Sequence, residues 1–245
     1  VQKGYMQKKL GVIGGLGTET AAQFYISAER LWHAAGQPNH IPLTIENIQS
    51  PFSLEQAITT NSNRIAELKD FLCQAARSLE AGGASFIVLP CNTAHVHLDT
   101  VKASVRVPVL SITQETARKL HRHGVERAAI LGTGVTREFG IYGFDCQALG
   151  IETLYPNGAD QKRVETVIQR TLAWKNDHTD RQQLQEVIAE VKQQGAQAVV
   201  LACTDLQLSV SENVEEGIFD SMKTLAEASV RKLVKVCDSN GSRTV

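Results

Sequence analysis

Short continuous apolar runs alternate along the chain with longer segments in which apolar residues recur every three to four positions. The runs are Leu10–Ile13, 41–48, "ASFIVLP" at 84–90, "VPVLSI" at 107–112, "RAAIL" at 127–131, "GIETLYP" at 150–156 and "AVVLA" at 198–202. Runs of this length without polar interruption predict parallel strands covered on both faces. Helices are expected between them, over 21–35, 62–81, 114–123, 160–174 and 180–194, with a last helix at 214–236 and a frayed tail from Asp238. The first long helix should end at Gly82-Gly83, and a short helix is expected from about Thr93. Strands alternating with helices give an α/β fold with helices on both faces of the sheet.

The order of elements then repeats. "KLGVIGGLGTE" at 9–19 is matched by "RAAILGTGVTRE" at 127–138, each a strand, a glycine turn, Thr, Glu and a helix. "GGASFIVLPCNTA" at 82–94 is matched by "GAQAVVLACTDL" at 195–206. Gly14 and Cys91 lie 77 positions apart, and Gly132 and Cys203 lie 71 apart. Two Rossmann-like parallel-sheet domains related by a pseudo-twofold are therefore expected, with a site in the cleft between them. The division is placed at 8–106, carrying Cys91, and 107–213, carrying Cys203, with helix 214–236 packing back on the first domain. In open α/β sheets ligands bind at the carboxyl ends of the strands, which is where both cysteines fall.

Charge and composition remove several classes of function. The 245-residue chain has a formal net charge of −1 and no long basic block, so the electrostatic footprint of nucleic-acid binding is absent. No apolar run reaches the roughly 18 residues of a membrane span. Val1–Lys9 is polar and lacks the apolar core of a signal peptide, Met6 reads as the natural start, and a cytoplasmic location is expected. The five cysteines are odd in number and widely spaced, which points to free thiols rather than a disulfide framework.

A lone cysteine at the end of an apolar run is ordinarily a small core residue, and Cys73, Cys146 and Cys237 are read that way. Cys91 and Cys203 differ: they occur at matched positions, each precedes groups able to hydrogen-bond a carboxylate (Asn92 and Thr93; Thr204), and each is expected just before a helix, where amide dipoles favour thiolate. "CNTAHVH" offers Cys91, His95 and His97 to a metal, but the spacing fits no zinc pattern, and no metal is expected. His95 is read as a residue that orients the site and His97 as solvated. "GVIGGLG" is not in dinucleotide-binding register; its glycines are read as letting the backbone approach a small anion. Two thiols on opposite faces of one carbon could take a proton from one side and deliver one from the other, which inverts a stereocentre. A thiol's ordinary pKa of about 8.5 suits that exchange.

These motifs resemble the aspartate/glutamate racemase superfamily, and most of all its aspartate racemase branch. The resemblance rests on "GVIGGLGTETAAQFY", "AGGASFIVLPCNTAH", "GIYGFDCQALGIE" and "GAQAVVLACTDL", and covers about residues 8–235. It implies a cofactor-independent racemase acting on a small-molecule amino acid, aspartate first, with no cofactor and a homodimeric assembly. It implies Cys91 and Cys203 as the acid/base pair, with Asn92, Thr93, Ala94 and Thr204 holding the α-carboxylate or α-amino group and the Gly14–Gly15 turn approaching the substrate. Thr136 and Arg137, in the second glycine turn, are placed at the cleft rim. The chain departs from the branch where an Arg usually grips the distal carboxylate: "IQSPFS" puts Ser53 there. A branch Lys aligns near Ala173, two positions before Lys175. Arg64, Arg137, Arg163 and Lys175 are the candidate replacements. Glutamate or another amino acid as substrate, diacid cis–trans isomerisation, and a non-catalytic amino-acid-binding module remain as alternatives.

Overall fold

The computed structural model describes residues 8–59, 62–209 and 216–241. Met6 and the tail beyond 241 lie outside them. The chain runs β1 (Leu10–Gly14), α1 (Thr18–Ala34), β2 (Leu43–Asn47), α2 (Phe52–Ala57), α3 (Leu68–Ala81), β3 (Phe86–Val88), α4 (Leu98–Ala103), β4 (Val109–Leu110) and α5 (Ile112–Arg122). It continues through β5 (Arg127–Leu131), α6 (Gly134–Glu138), α7 (Gly143–Gln147), β6 (Glu152–Leu154), α8 (Gly158–Leu172), α9 (His178–Gln193), β7 (Ala198–Leu201), β8 (Ile218–Asp220) and α10 (Ser221–Gly241).

Two four-stranded sheets result, ordered β2-β1-β3-β4 and β6-β5-β7-β8. All the pairings are parallel, and the central strand of each half, β1 or β5, precedes in the chain the neighbours it pairs with on both sides. The same order occurring twice establishes the two Rossmann-like halves expected from the repeat.

The apolar runs are continuous because each sheet is covered twice. In the first sheet Leu10, Val12, Phe86 and Val88 face a core built with Phe24 and Trp32 of α1 and Leu225 and Leu233 of α10. The intervening Ile13, Ile87 and Leu89 face the opposite core with Leu72 and Leu79 of α3. In the second sheet Leu131, Val199 and Leu201 pack with α8 and α9, while Ile130, Ala198 and Val200 pack with Leu120 of α5 and Tyr142. Alternation on the strand therefore assigns residues to two buried faces, not to core and solvent. Helix α5 contributes Ile112 to one domain's core and Ala117 and Leu120 to the other's, so it joins the halves.

Several elements differ from the pattern expected. The helix at 62–81 divides into a 3-10 stretch, Ser62–Glu67, and α3. The helix expected from 214 begins at Ser221, because Ile218–Asp220 pairs with Val199–Leu201 as the edge strand of the second sheet. It extends through Gly241, past the fraying expected at Asp238. Strand β4 lies beyond the 106/107 division and pairs with β3 in the first sheet.

Candidate active site

Cys91 follows β3 and Cys203 follows β7, and the identical order of the two sheets brings these strand ends to one cleft. Both thiols line a single small cavity, together with Leu16, Gly17, Glu55, Ile58, Thr59, Asn92, Thr93, Thr133, Leu172, Thr204 and Asp205. As it stands the cavity leaves about 30 Å³ of water-accessible space, room for about two waters. An amino acid is larger, so the halves must part or side chains must shift to admit one.

The second residue after each cysteine crosses to the other half. Thr93 Oγ1 is 2.9 Å from Thr133 Oγ1 in the β5–α6 turn, and Thr20 Oγ1 of α1 donates to Asp205 Oδ1 at 2.9 Å. The pseudo-twofold thus extends to the hydrogen bonds that tie the domains together. Thr133 is also the N-cap of α6, where its hydroxyl accepts from the Thr136 amide. Helix α1 has a different arrangement. Its N-cap is Gly17, with φ 81° and no side chain to cap with, and the Gly17 amide donates to Glu55 Oε1 of α2. A carboxylate from another helix therefore occupies the positive end of α1.

Asn92 is held at both ends of its amide: Nδ2 donates to Ser221 Oγ at 3.0 Å, and Oδ1 accepts from Tyr142 Oη at 2.6 Å. His95 connects the first cysteine to α5. Its Nδ1 lies 2.8 Å from the Cys91 carbonyl, and its Nε2 accepts the Ile112 amide at 3.0 Å. Nδ1 therefore carries the proton. Burial lowers the imidazole pKa to about 4, which keeps the ring neutral in this role at ordinary pH. His97 is not solvated as expected; its Nε2 lies 2.7 Å from the Ile65 carbonyl.

Burial dominates the electrostatics of both thiols. Cys91 is pushed up to about 12, mainly by burial, with the Asp205 and Glu55 charges adding to the rise and the Ala94 and Thr93 amides working the other way. Cys203 is raised by burial, then by Asp205, whose Oδ2 accepts from the thiol at 3.5 Å. The expected helix-dipole thiolate is thus overridden in the ligand-free protein, and both sulfurs are protonated at neutral pH. A thiol whose pKa lies above its usual value gains thiolate tenfold per pH unit below that pKa. Alkylation of Cys91 and Cys203 by iodoacetamide, followed by peptide mass spectrometry, is expected to be slow at pH 7 and to accelerate about tenfold per unit through pH 9. A rate already level at pH 7 would contradict this electrostatic picture.

Of the other expected residues, Asn92, Thr93 and Thr204 line the cavity, and Ala94 contributes its amide to Cys91. Gly14 and Gly15 do not line it: the backbone at Gly15 turns with φ 87° against Ile48, and Leu16 and Gly17 are the residues of this turn that reach the cavity. Thr136 is buried beside Thr133. Ser53 and Arg137 are exposed and absent from the lining. Arg137 follows the mirrored turn as expected, but its charge is felt at Tyr155. Arg64 pairs with Glu67, and Arg163 with Asp160 and Glu186. Lys175 is exposed outside the lining.

Two groups that the sequence did not single out as site residues, Glu55 and Asp205, supply all the formal charge in the lining. Burial raises the pKa of each, and Asp205 adds to the rise at Glu55. Among the described residues the only cluster arranged for a metal ion is Glu29, His33 and His40, away from the cysteine cavity. No helix among them is long and apolar enough to cross a membrane.

Comparison with known proteins agrees with this geometry. The chain is 27% identical over 227 residues to the broad specificity amino-acid racemase RacX of Bacillus subtilis (strain 168), covering 90% of this chain and 96% of that protein. The crystal structure of a candidate Asp/Glu racemase from Yersinia pestis superposes with a TM-score of 0.80 at 27% identity, covering 93% of this chain and 99% of that one. An aspartate racemase homologue from Pyrococcus horikoshii OT3 gives 0.74 at 26%, covering 94% and 99%. The Asp/Glu/Hydantoin racemase family model matches residues 13–229, a span that includes both cysteine motifs and all strands but the start of β1, and the chain belongs to that family.

Proposed function

We propose that this protein is a cofactor-independent amino-acid racemase in which Cys91 and Cys203 act as a thiolate and thiol pair on opposite faces of Cα. The observation that carries the reading is that two thiols from equivalent strand ends of two pseudo-symmetric halves line one cavity. One sulfur, as thiolate, removes the Cα proton, leaving a carbanion conjugated with the α-carboxylate. The other, as thiol, delivers its proton to the opposite face. The sulfurs exchange protonation states, so the product leaves the site poised for the reverse direction, and no step calls for a cofactor. The hydroxyls of Thr93 and Thr204 and the fixed Asn92 amide are the donors available to the substrate carboxylate, where negative charge builds as the proton leaves.

Desolvation of both thiols, Cys203 buried and Cys91 half-buried, sets the energetic difficulty. The ligand-free cavity favours two neutral thiols, and one must lose its proton before turnover. A bound α-ammonium beside Asp205 and Glu55 offsets the negative charge that raises the thiol pKa values. The active protonation state is thereby formed on binding.

Aspartate, the substrate suggested by the branch resemblance, requires a partner for its distal carboxylate, since a buried carboxylate without one is costly. The lining contains no Lys or Arg and already contains two carboxylates. These features support the alternative of another amino acid as substrate. The homodimer implied by the resemblance is retained as part of this reading. Incubating the purified protein with individual L-amino acids in D₂O, without added cofactor, tests the whole. Loss of the Cα proton signal with growth of the D-enantiomer is expected for at least one of them. A complete panel with neither would overturn the reading.

A further inference from the structure

We infer that the amino acid taken by this site carries a positively charged side chain, as in a diamino or guanidino acid, and that Glu55 is the residue that selects it; the inference rests on the racemase reading above. The cysteine cavity shares Gly17, Glu55, Leu172 and Asp205 with an adjoining recess that opens beside Glu19, Phe52 and Trp174. Two carboxylates, Glu55 and Asp205, thus line both spaces and a third, Glu19, lines the recess, and none of the lining residues of either space is Lys or Arg.

The carboxylates are not equally free. Asp205 uses both oxygens within the protein, accepting from Thr20 at Oδ1 and Cys203 at Oδ2. It lies two residues from the catalytic sulfur, a position suited to the α-ammonium. Glu55 accepts the Gly17 amide at Oε1, and its Oε2 has no hydrogen-bond partner among the described residues. Glu55 lines both the cysteine cavity and the recess, so a side chain extending from Cα into the recess would come beside it.

The recess walls have matching chemistry. Phe52 of the first half and Trp174 of the second stack with ring centroids 6.1 Å apart and planes 2° from parallel. They are 48% and 68% exposed, so the pair spans the two domains in contact with solvent. Trp174 is the only described non-glycine residue with positive φ, at 53°, a conformation that a bulky side chain adopts only when its surroundings hold it there. Aromatic faces attract cations electrostatically. Carboxylates and stacked aromatic rings together suit an ammonium or guanidinium group and repel a distal carboxylate.

The test compares kcat/KM for racemisation of L-lysine, L-norleucine and L-glutamate by the unmodified protein and by Glu55→Gln. Norleucine matches lysine in chain length without the ammonium group. Lysine is expected to exceed norleucine at least about tenfold, with glutamate lowest. In Glu55→Gln the lysine-to-norleucine ratio is expected to fall about tenfold, toward one. These factors correspond to a single charge-assisted hydrogen bond. Gln keeps an oxygen for the Gly17 amide, and a ratio of two substrates on one preparation cancels any loss of folded protein. Norleucine or glutamate equal to lysine, or an unchanged ratio in Glu55→Gln, would overturn the inference. If none of the three is racemised, calorimetric binding of the same compounds separates the two claims. Preferential lysine binding would uphold the charge selection while the racemase reading fails; equal binding, or none, would overturn the selection as well.

Discussion

Replacing Cys91 or Cys203 by Ala is expected to lower kcat for racemisation by at least about 10³-fold, with the fold retained. A positioned acid/base group contributes roughly 10²–10⁴-fold, and inversion needs one such group on each face, so neither thiol can cover for the other. The effect is expected to be as large for the double variant as for either single one, because groups that act as a unit are strongly non-additive. Both cysteines sit at strand ends facing the cavity, and a thiol-to-methyl change there removes little packing. Thermal unfolding is expected to shift by no more than a few degrees, corresponding to about 1 kcal/mol. Reaction rates, read by chiral chromatography, distinguish this from a structural role: near-native racemisation by either variant would remove that cysteine from the mechanism.

Gly17→Ala is expected to reduce kcat/KM by about 10²-fold and to destabilise the protein by about 1–2 kcal/mol. The backbone at Gly17 has φ 81°, and an added Cβ would lie 2.8 Å from Thr20 Oγ1 and 3.3 Å from Asp205 Oδ1. The positive φ alone costs roughly 1–2 kcal/mol for a residue with a Cβ. The clash falls on the Thr20–Asp205 bond between the halves, and the Gly17 amide is the anchor of Glu55. Displacing Asp205 moves the hydrogen-bond acceptor of the Cys203 thiol. A misplacement of about 1 Å in a catalytic group is enough for a loss of that order. The fall in kcat/KM should greatly exceed what the loss of stability explains, as denaturant unfolding alongside kinetics would show. Native kinetics in Gly17→Ala would mean that the turn has no part in positioning the site.

The sequence exposed the two cysteines because their surroundings are local and repeated. Each lies at the end of an apolar run, followed by polar residues, and the run is covered on both faces of its sheet. Periodicity also located α1, α5, α8 and α9 to within a few residues. It missed β8, since Ile218–Asp220 is a three-residue, half-buried edge strand just after Gly217 and just before α10. It missed α2, whose six residues follow Pro51 and carry only one buried side chain, Leu54.

Glu55 was illegible for a related reason. Nothing in "FSLEQA" separates it from a solvated helix carboxylate, and only tertiary closure brings it to the Gly17 amide. Ser53, two positions earlier on the same helix, points to solvent. Arg137 failed in the opposite way: symmetry of the glycine turns located its backbone but left its side-chain direction open. Asp205 was legible in part: an acidic group two residues after a thiol affects that thiol's titration, and the structure places its Oδ2 3.5 Å from the Cys203 sulfur.

The central claim is that two thiols serve opposite faces of one carbon, and the isotopic content of product formed early in the reaction in D₂O tests it most directly. With an L-amino acid substrate, at under about a tenth of full conversion, the product D-enantiomer should carry deuterium at Cα while the remaining L-enantiomer stays unlabelled. The proton taken by one sulfur is not the one delivered by the other. Product that retains the substrate's own proton, or an L-pool that acquires deuterium ahead of product, would show one base working on both faces and contradict the account.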